Sequence, residues 1–463
     1  MSRSERLVPA AAALLALALT GTACDGGVRG TPGGSGVRDP YFPQAGNGGY
    51  DVTHYALTLD YTPKGRHLTG RAVITAQATQ DLSAFDLDLA GLRVDAVTVE
   101  GKDARWNRAG QELTVRPRDD LSKGETFRVT VDYSGTPRTL TDPDGSEEGW
   151  LPTADGALGL GEPVGSMAWF PSDNHPSDKA TYDIAITVPK GLQAVSNGEL
   201  TGQSDKGGRT TYHWHSGRPM ASYLATVAVG HYTIKRSTGP HGLPLLTAVD
   251  PTQAEASAGV LAKIPEILDW EELNFGPYPF SSAGAIVDRP HDAGYALETQ
   301  NRPVFPGPPA ISTLVHELAH EWYGDSVTPT SWRDMWLNEG FATYAEWLWA
   351  EDHGGPSAQK QFTDLYDGDD EAVWAFPPAR PSSAAHISDS PVYERGAMVL
   401  QKIRQKVGDD TFYDIIQGWA AAHRYGGAST ADFTAYVEKK APDHDFGEIW
   451  KDWLYGDGKP AHP

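Results

Sequence analysis

Four residues of this chain have the types and spacing of a metal-assisted hydrolytic site: His316, Glu317 and His320 in the run HELAH, and Glu339 in the run WLNEGFATY. Two histidines four apart on a helix are separated by a little more than one turn. Both imidazoles therefore leave the same face and can hold one metal ion. Glu317 is one step round the helix from His316, beside the metal without ligating it, which is the position of a general base. A catalytic zinc takes three protein ligands and keeps one position open. Glu339 can be the third ligand, with eighteen residues between it and His320.

Other carboxylates compete for that place. Glu321 follows His320 directly and points away from the histidine pair. Asp325 can instead orient a histidine or cap the helix, and Glu346 lies two turns beyond Glu339 on the same predicted helix. Spacing favours Glu339 only mildly, and the bland alternative is a pair of packed core histidines. The three-histidine layout H-E-x-x-H-x-x-G-x-x-H is excluded, because Tyr323 and Ser326 hold its Gly and His positions. Thr343, one turn after Glu339, could support that ligand. His175, His213, His215 and His291 lie off the motif and read as surface or structural residues.

The elements that must position these groups are legible as patterns. The metal helix has an apolar side at Ile311, Leu314, Val315 and Leu318, and the proline-rich run NRPVFPGPPA precedes it. Beyond Asp334 the helical rhythm covers 334–350, 356–366, 392–406, 409–423, 429–440 and 446–455. Ahead of the metal helix, Pro251 to Leu273 reads helical, and GAIVD (284–288) and YALETQ (295–300) read as short strands. From Tyr50 to Tyr232 the period is two: Tyr55, Leu57, Leu59 and Tyr61 alternate with polar or small residues, as do Tyr182, Ile184, Ile186 and Val188. No long helix interrupts, which predicts an antiparallel sandwich or saddle-shaped sheet domain over 49–238. The turn Gly239-Pro240-His241-Gly242 closes it and opens a second domain, 239–463.

Composition sets the outer bounds. A chain of 463 residues is expected to form two or three domains. A net charge of −23 argues against nucleic acid and anionic membrane surfaces as partners. Arg3 and Arg6, the apolar run Leu7 to Leu19 and the small residues after it are laid out as a secretory signal peptide over 1–23, too short to span a bilayer. The expected destination is secreted or extracytoplasmic. The single cysteine, Cys24, is placed for a lipid anchor and leaves the folded part without a disulfide. The Gly/Pro-rich stretch 24–48 reads as a flexible linker.

The pattern HELAHEWYGD followed by WLNEGFATY resembles the metal core of the gluzincin aminopeptidases, the aminopeptidase N family. The resemblance covers about Tyr50 to Trp453. It implies a β domain followed by a thermolysin-like, mainly helical peptidase domain, a multidomain α+β fold. It also implies one zinc ion on His316, His320 and Glu339, with Glu317 as base. The family's Gly-Ala-Met-Glu-Asn strand is matched by Tyr295-Ala296-Leu297-Glu298-Thr299, so Glu298 is implied to bind the substrate's free α-amine. Tyr393 in Tyr-Glu-Arg-Gly-Ala matches the tyrosine that stabilises the oxyanion, and Glu162, before Phe170-Pro171, matches a second amine-binding glutamate. The expected enzyme is a monomeric short form, without the C-terminal helical domain of longer members, that removes N-terminal residues from peptides. Two alternatives stay open: a zinc endopeptidase, and a non-catalytic exported binding protein with a relic zinc site.

Overall fold

The computed structural model describes residues 30–463; the expected signal peptide and Cys24 lie outside the described residues. The first half is built on an eight-stranded sheet, ordered Glu199–Lys206, Arg209–Ala221, Lys179–Pro189, Tyr50–Thr62, His67–Ala78, Thr126–Gly135, Arg93–Val99 and Lys102–Asp103. Its neighbours run antiparallel apart from one pair, Lys179–Pro189 with Tyr50–Thr62, which is parallel. The period-two residues of both strands are buried, as their alternation requires. Two smaller sheets pack on this one through aromatic contacts. Phe85 meets Tyr50 at 5.6 Å, and Trp150 meets Tyr61 at 5.0 Å.

Residues 30–48 correct the expectation of a flexible linker. Thr31–Pro32 pairs with Leu82 and Ala84, and Asp39, Ala45 and Asn47 are buried. Asp39 accepts hydrogen bonds from the backbone N–H groups of Tyr41 and Phe42, and also from Ser331 Oγ at 2.7 Å and Trp332 N at 3.0 Å. Tyr41 donates to the carbonyl of Pro381 at 2.7 Å. A glycine-rich stretch thus becomes ordered because its backbone pairs with the β half and its polar side chains find fixed partners in the second half.

The second half opens earlier than 239. Thr233–Thr238 pairs with Pro244–Val249, so Gly239–Gly242 is a hairpin turn inside a sheet rather than a boundary between domains. That sheet continues through Ala283–Val287 and Val304–Phe305. Around it lie eight α-helices among the described residues: α1 (Ala254–Leu261), α2 (Ile264–Phe275), α3 (Ile311–Ala319), α4 (Trp336–Asp352), α5 (Ala358–Asp367), α6 (Gly396–Val407), α7 (Asp409–Ala422) and α8 (Thr430–Lys440). The single rhythm expected over 251–273 is two helices, broken at Ala262 and Lys263. The helical spans expected beyond Asp334 are present within a few residues, although 446–455 contains a π-turn, Ile449–Leu454, rather than a regular α-helix. No helix among the described residues is long and apolar enough to cross a membrane.

Candidate active site

Helix α3 delivers the histidine pair. Leu314, Val315 and Leu318 are buried beneath it, and His320 caps its C-terminus with helical torsions, so the four-residue relation to His316 is kept. Helix α4 crosses α3 and brings Glu339 up from its first turn. Glu339 Oε2 lies 3.1 Å from His316 Nε2 and 3.4 Å from His320 Nε2. Two ligand atoms on one tetrahedral zinc stand about 3.3 Å apart, given bonds of about 2.05 Å, so the donor set fits a single zinc ion.

The other ring nitrogens are fixed from behind. His316 Nδ1 faces Glu346 Oε1 at 2.8 Å, and His320 Nδ1 faces the carbonyl of Tyr323 at 3.0 Å. Both Nε2 atoms are thereby left for the metal. Glu346, weighed above as a ligand, orients one instead. Asp325 makes neither proposed contact: its carboxylate is buried and receives no hydrogen bond. Glu321 turns away, accepting from Asn301 N, and the Thr343 hydroxyl has no partner with which to support Glu339. His175 is a structural residue buried against Asp39, while His213, His215 and His291 are exposed.

The electrostatics suit a cation. Burial disfavours protonated imidazole, but the Glu339 carboxylate outweighs it and lifts both histidines above their ordinary range, His320 to about 9. Burial raises Glu339 too, and the two histidines overcome that and hold it at about 2. Glu317 is pushed up to about 8 by burial, with both histidines pulling the other way. A metal cation beside it would oppose that lift and favour the carboxylate, the form that a base requires.

Tyr393 comes from a π-turn, Pro391–Arg395, that runs into α6. Its ring stacks on His316 with centroids 6.0 Å apart. The approach depends on two glycines: a Cβ on Gly340 would lie 2.9 Å from the backbone of Gly396, and one on Gly396 would lie 3.0 Å from Gly340. Burial, reinforced by Glu339, keeps the Tyr393 hydroxyl protonated and able to donate.

Glu298 is not on a strand, contrary to the reading of 295–300. Only Leu297 and Val304 exchange backbone hydrogen bonds, at 2.9 and 2.8 Å, and the residues after them turn away. The turn is locked by other means. Asn197 donates to the carbonyl of Gln300, Gln300 donates to Ser216 Oγ, and Arg302 donates to the carbonyl of Ser196. Glu298 is buried, and its Oε1 has no hydrogen-bond partner. The same holds for Oε1 of Glu162. One cavity of about 470 Å³ is lined by all seven residues singled out from the sequence: Glu162, Glu298, His316, Glu317, His320, Glu339 and Tyr393. Tyr295 and Asp142 also lie on its wall, and nothing in the spacing of Asp142 links it to the metal.

A buried His2Glu donor set beside an unligated glutamate, on a helix of this kind, defines the zincin class. Two family descriptions match the chain: the Peptidase M1 N-terminal domain over residues 51–224 and the Peptidase family M1 domain over residues 308–453. Among solved structures, an M1 zinc metallopeptidase variant from Deinococcus radiodurans bound to a Tyr-Ser-Ala substrate is 31% identical. It superposes with a TM-score of 0.85, and the match covers 92% of this chain and 98% of that one. Aminopeptidase 2 of Candida albicans is 24% identical over 88% of this chain, and glutamyl aminopeptidase of Rattus norvegicus is 26% identical over 88%. In both cases the match covers 47% of the relative, so the chain spans about half the length of these curated relatives. The chain belongs to peptidase family M1.

Proposed function

We propose that this chain is a zinc-dependent aminopeptidase, with one Zn2+ on His316, His320 and Glu339. The observation that carries the reading is a pair of carboxylates, Glu298 and Glu162, each with a buried oxygen lacking any partner, in the cavity that holds the metal ligands. When bound there, zinc supplies a Lewis acid that acidifies water and polarises the scissile carbonyl. Glu317 takes the proton of the attacking water and passes it to the leaving amine. The Tyr393 hydroxyl donates to the carbonyl oxygen as its charge grows, a contribution of about 3 kcal/mol by analogy with other oxyanion donors. Glu298 and Glu162 bind the terminal ammonium of the peptide. An internal peptide bond brings no such charge, and two desolvated carboxylates left unpaired are unfavourable, which makes the enzyme an exopeptidase.

Zinc-loaded protein should hydrolyse aminoacyl-anilides. Glu298→Ala should lose about 10- to 100-fold in kcat/KM on them, the worth of a charge-assisted hydrogen bond, and far less on N-acetylated analogues. Equal loss on both would overturn the exopeptidase assignment. The chain is also proposed to be exported, on the strength of residues 3–23, and either secreted or held at a membrane by a lipid on Cys24. Mass spectrometry of the mature N-terminus tests the processing and the modification together.

A further inference from the structure

The cavity carries more negative charge than the mechanism uses. Seven carboxylates line it and, among the described residues, no lysine or arginine does. Five are placed above at the metal, at the proton transfer or at the ammonium. Asp142 and Asp144 are not. Both belong to the turn between Thr139–Thr141 and Glu147–Pro152. Asp142 is only 7% exposed, yet it faces the cavity, and its carboxylate accepts one long hydrogen bond, from Ser146 Oγ at 3.4 Å.

Behind Asp142 lies Glu148, fully buried, whose carboxyl meets that of Asp142. Its Oε2 accepts from Val164 N at 3.0 Å, and its Oε1 is buried with no hydrogen-bond donor. Val164 follows Glu162 by two residues, so the acid pair is braced on the turn that presents an ammonium-binding carboxylate. Across from it Tyr295, three residues before Glu298, puts a buried hydroxyl without a partner on the same cavity. Asp144 stands exposed at the rim, held by Ser146 N at 2.8 Å.

We infer that this wall receives the first side chain of the peptide and is built for a cationic one, arginine or lysine. The inference rests on the aminopeptidase reading, since the amine held by Glu298 and Glu162 fixes which side chain arrives there. A guanidinium or ammonium beside Asp142 gives the acid pair the counter-charge that its buried oxygens lack. An apolar side chain leaves them without it, and an acidic one adds like charge. Burial has lifted the Asp142 carboxyl to about 6, with a further push from Asp144, and a neighbouring cation acts against that lift. Asp144 at the mouth favours the approach of the same charge.

The test compares kcat/KM of the zinc-loaded chain on arginyl-, citrullinyl-, lysyl-, norleucyl- and glutamyl-anilides. Citrulline matches arginine in size without the charge, and a ratio of substrates is independent of the folded fraction. The expected arginine-to-citrulline ratio is about 10 or more, the worth of one hydrogen-bonded ion pair. D142N should bring it close to 1, and E148Q should lower it. A wild-type ratio near 1, a preference for the glutamyl substrate, or a ratio unchanged in D142N overturns the subsite. Failure to hydrolyse any of the five substrates sinks the aminopeptidase reading instead, and the subsite with it.

Discussion

Two regions of this molecule bury carboxylates, and they treat them in opposite ways. In the β half, Asp88 accepts from Gly46 N, Asn47 Nδ2, Asn174 N and Gln111 Nε2, all at 3.0 to 3.1 Å. Asp39 is as well served, by two backbone N–H groups of its own segment and by Ser331 and Trp332. In the catalytic cavity, Glu162 and Glu298 keep buried oxygens that no protein donor reaches. An acid surrounded by fixed donors holds the chain together. An acid kept bare in a cavity waits for a donor or a cation that the chain does not supply.

The largest effect that tests this contrast is at Glu317. Glu317→Gln should keep zinc content at wild-type level while kcat falls by about 10³-fold or more, judged against the 10²- to 10⁴-fold typical of general acid–base groups. Elemental analysis and steady-state kinetics read the two halves of that statement, and near-wild-type turnover would remove the base. Glu346→Gln comes next. It leaves the ligand set intact but weakens the hold on His316 Nδ1, and zinc affinity measured against a competing chelator should drop by about 10- to 100-fold.

Asp39→Asn is the converse case. It should lower stability by about 1–3 kcal/mol, the penalty for a buried hydrogen-bond set left incomplete, with zinc content and turnover per folded molecule unchanged. It should also alter the acid limb of the stability curve. Burial raises the Asp39 carboxyl, but the hydrogen bonds, led by His175, overcome this and bring it from 3.8 to about 2. A folded-state value below the unfolded one means that the stability from this group is fully present above about pH 4 and is lost as pH falls toward 2. Denaturant midpoints between pH 5 and 2.5 should therefore fall more steeply in the wild type than in the variant. Parallel curves would show that Asp39 is no such anchor.

Much of this was legible in the chain. The metal set announces itself because helical periodicity converts a four-residue spacing directly into a shared face, and the strands of the β half because alternation converts directly into burial. What escaped depends on contacts far apart in sequence. Alternation of its neighbours reads Glu298 onto a strand, whereas the turn after it is held at Gln300 by Asn197 and Ser216, 103 and 84 residues away in sequence. Glu346 was weighed as a ligand, since its spacing from Glu339 says which face it occupies but not which atom of His316 it meets. Residues 30–48 looked like a tether because composition cannot register that Asp39 will find Trp332.

If Cys24 carries the proposed lipid, that last segment sets a leash length. With packing already begun at Gly30, only the five residues 25–29 separate it from Cys24. Fully extended, that stretch reaches about 20 Å, less than the width of the folded body it would hold. A copy fixed at Cys24 would have little freedom to swing and would graze the bilayer with one side. Which peptides reach the cavity would then depend on which way its mouth faces as much as on their sequence.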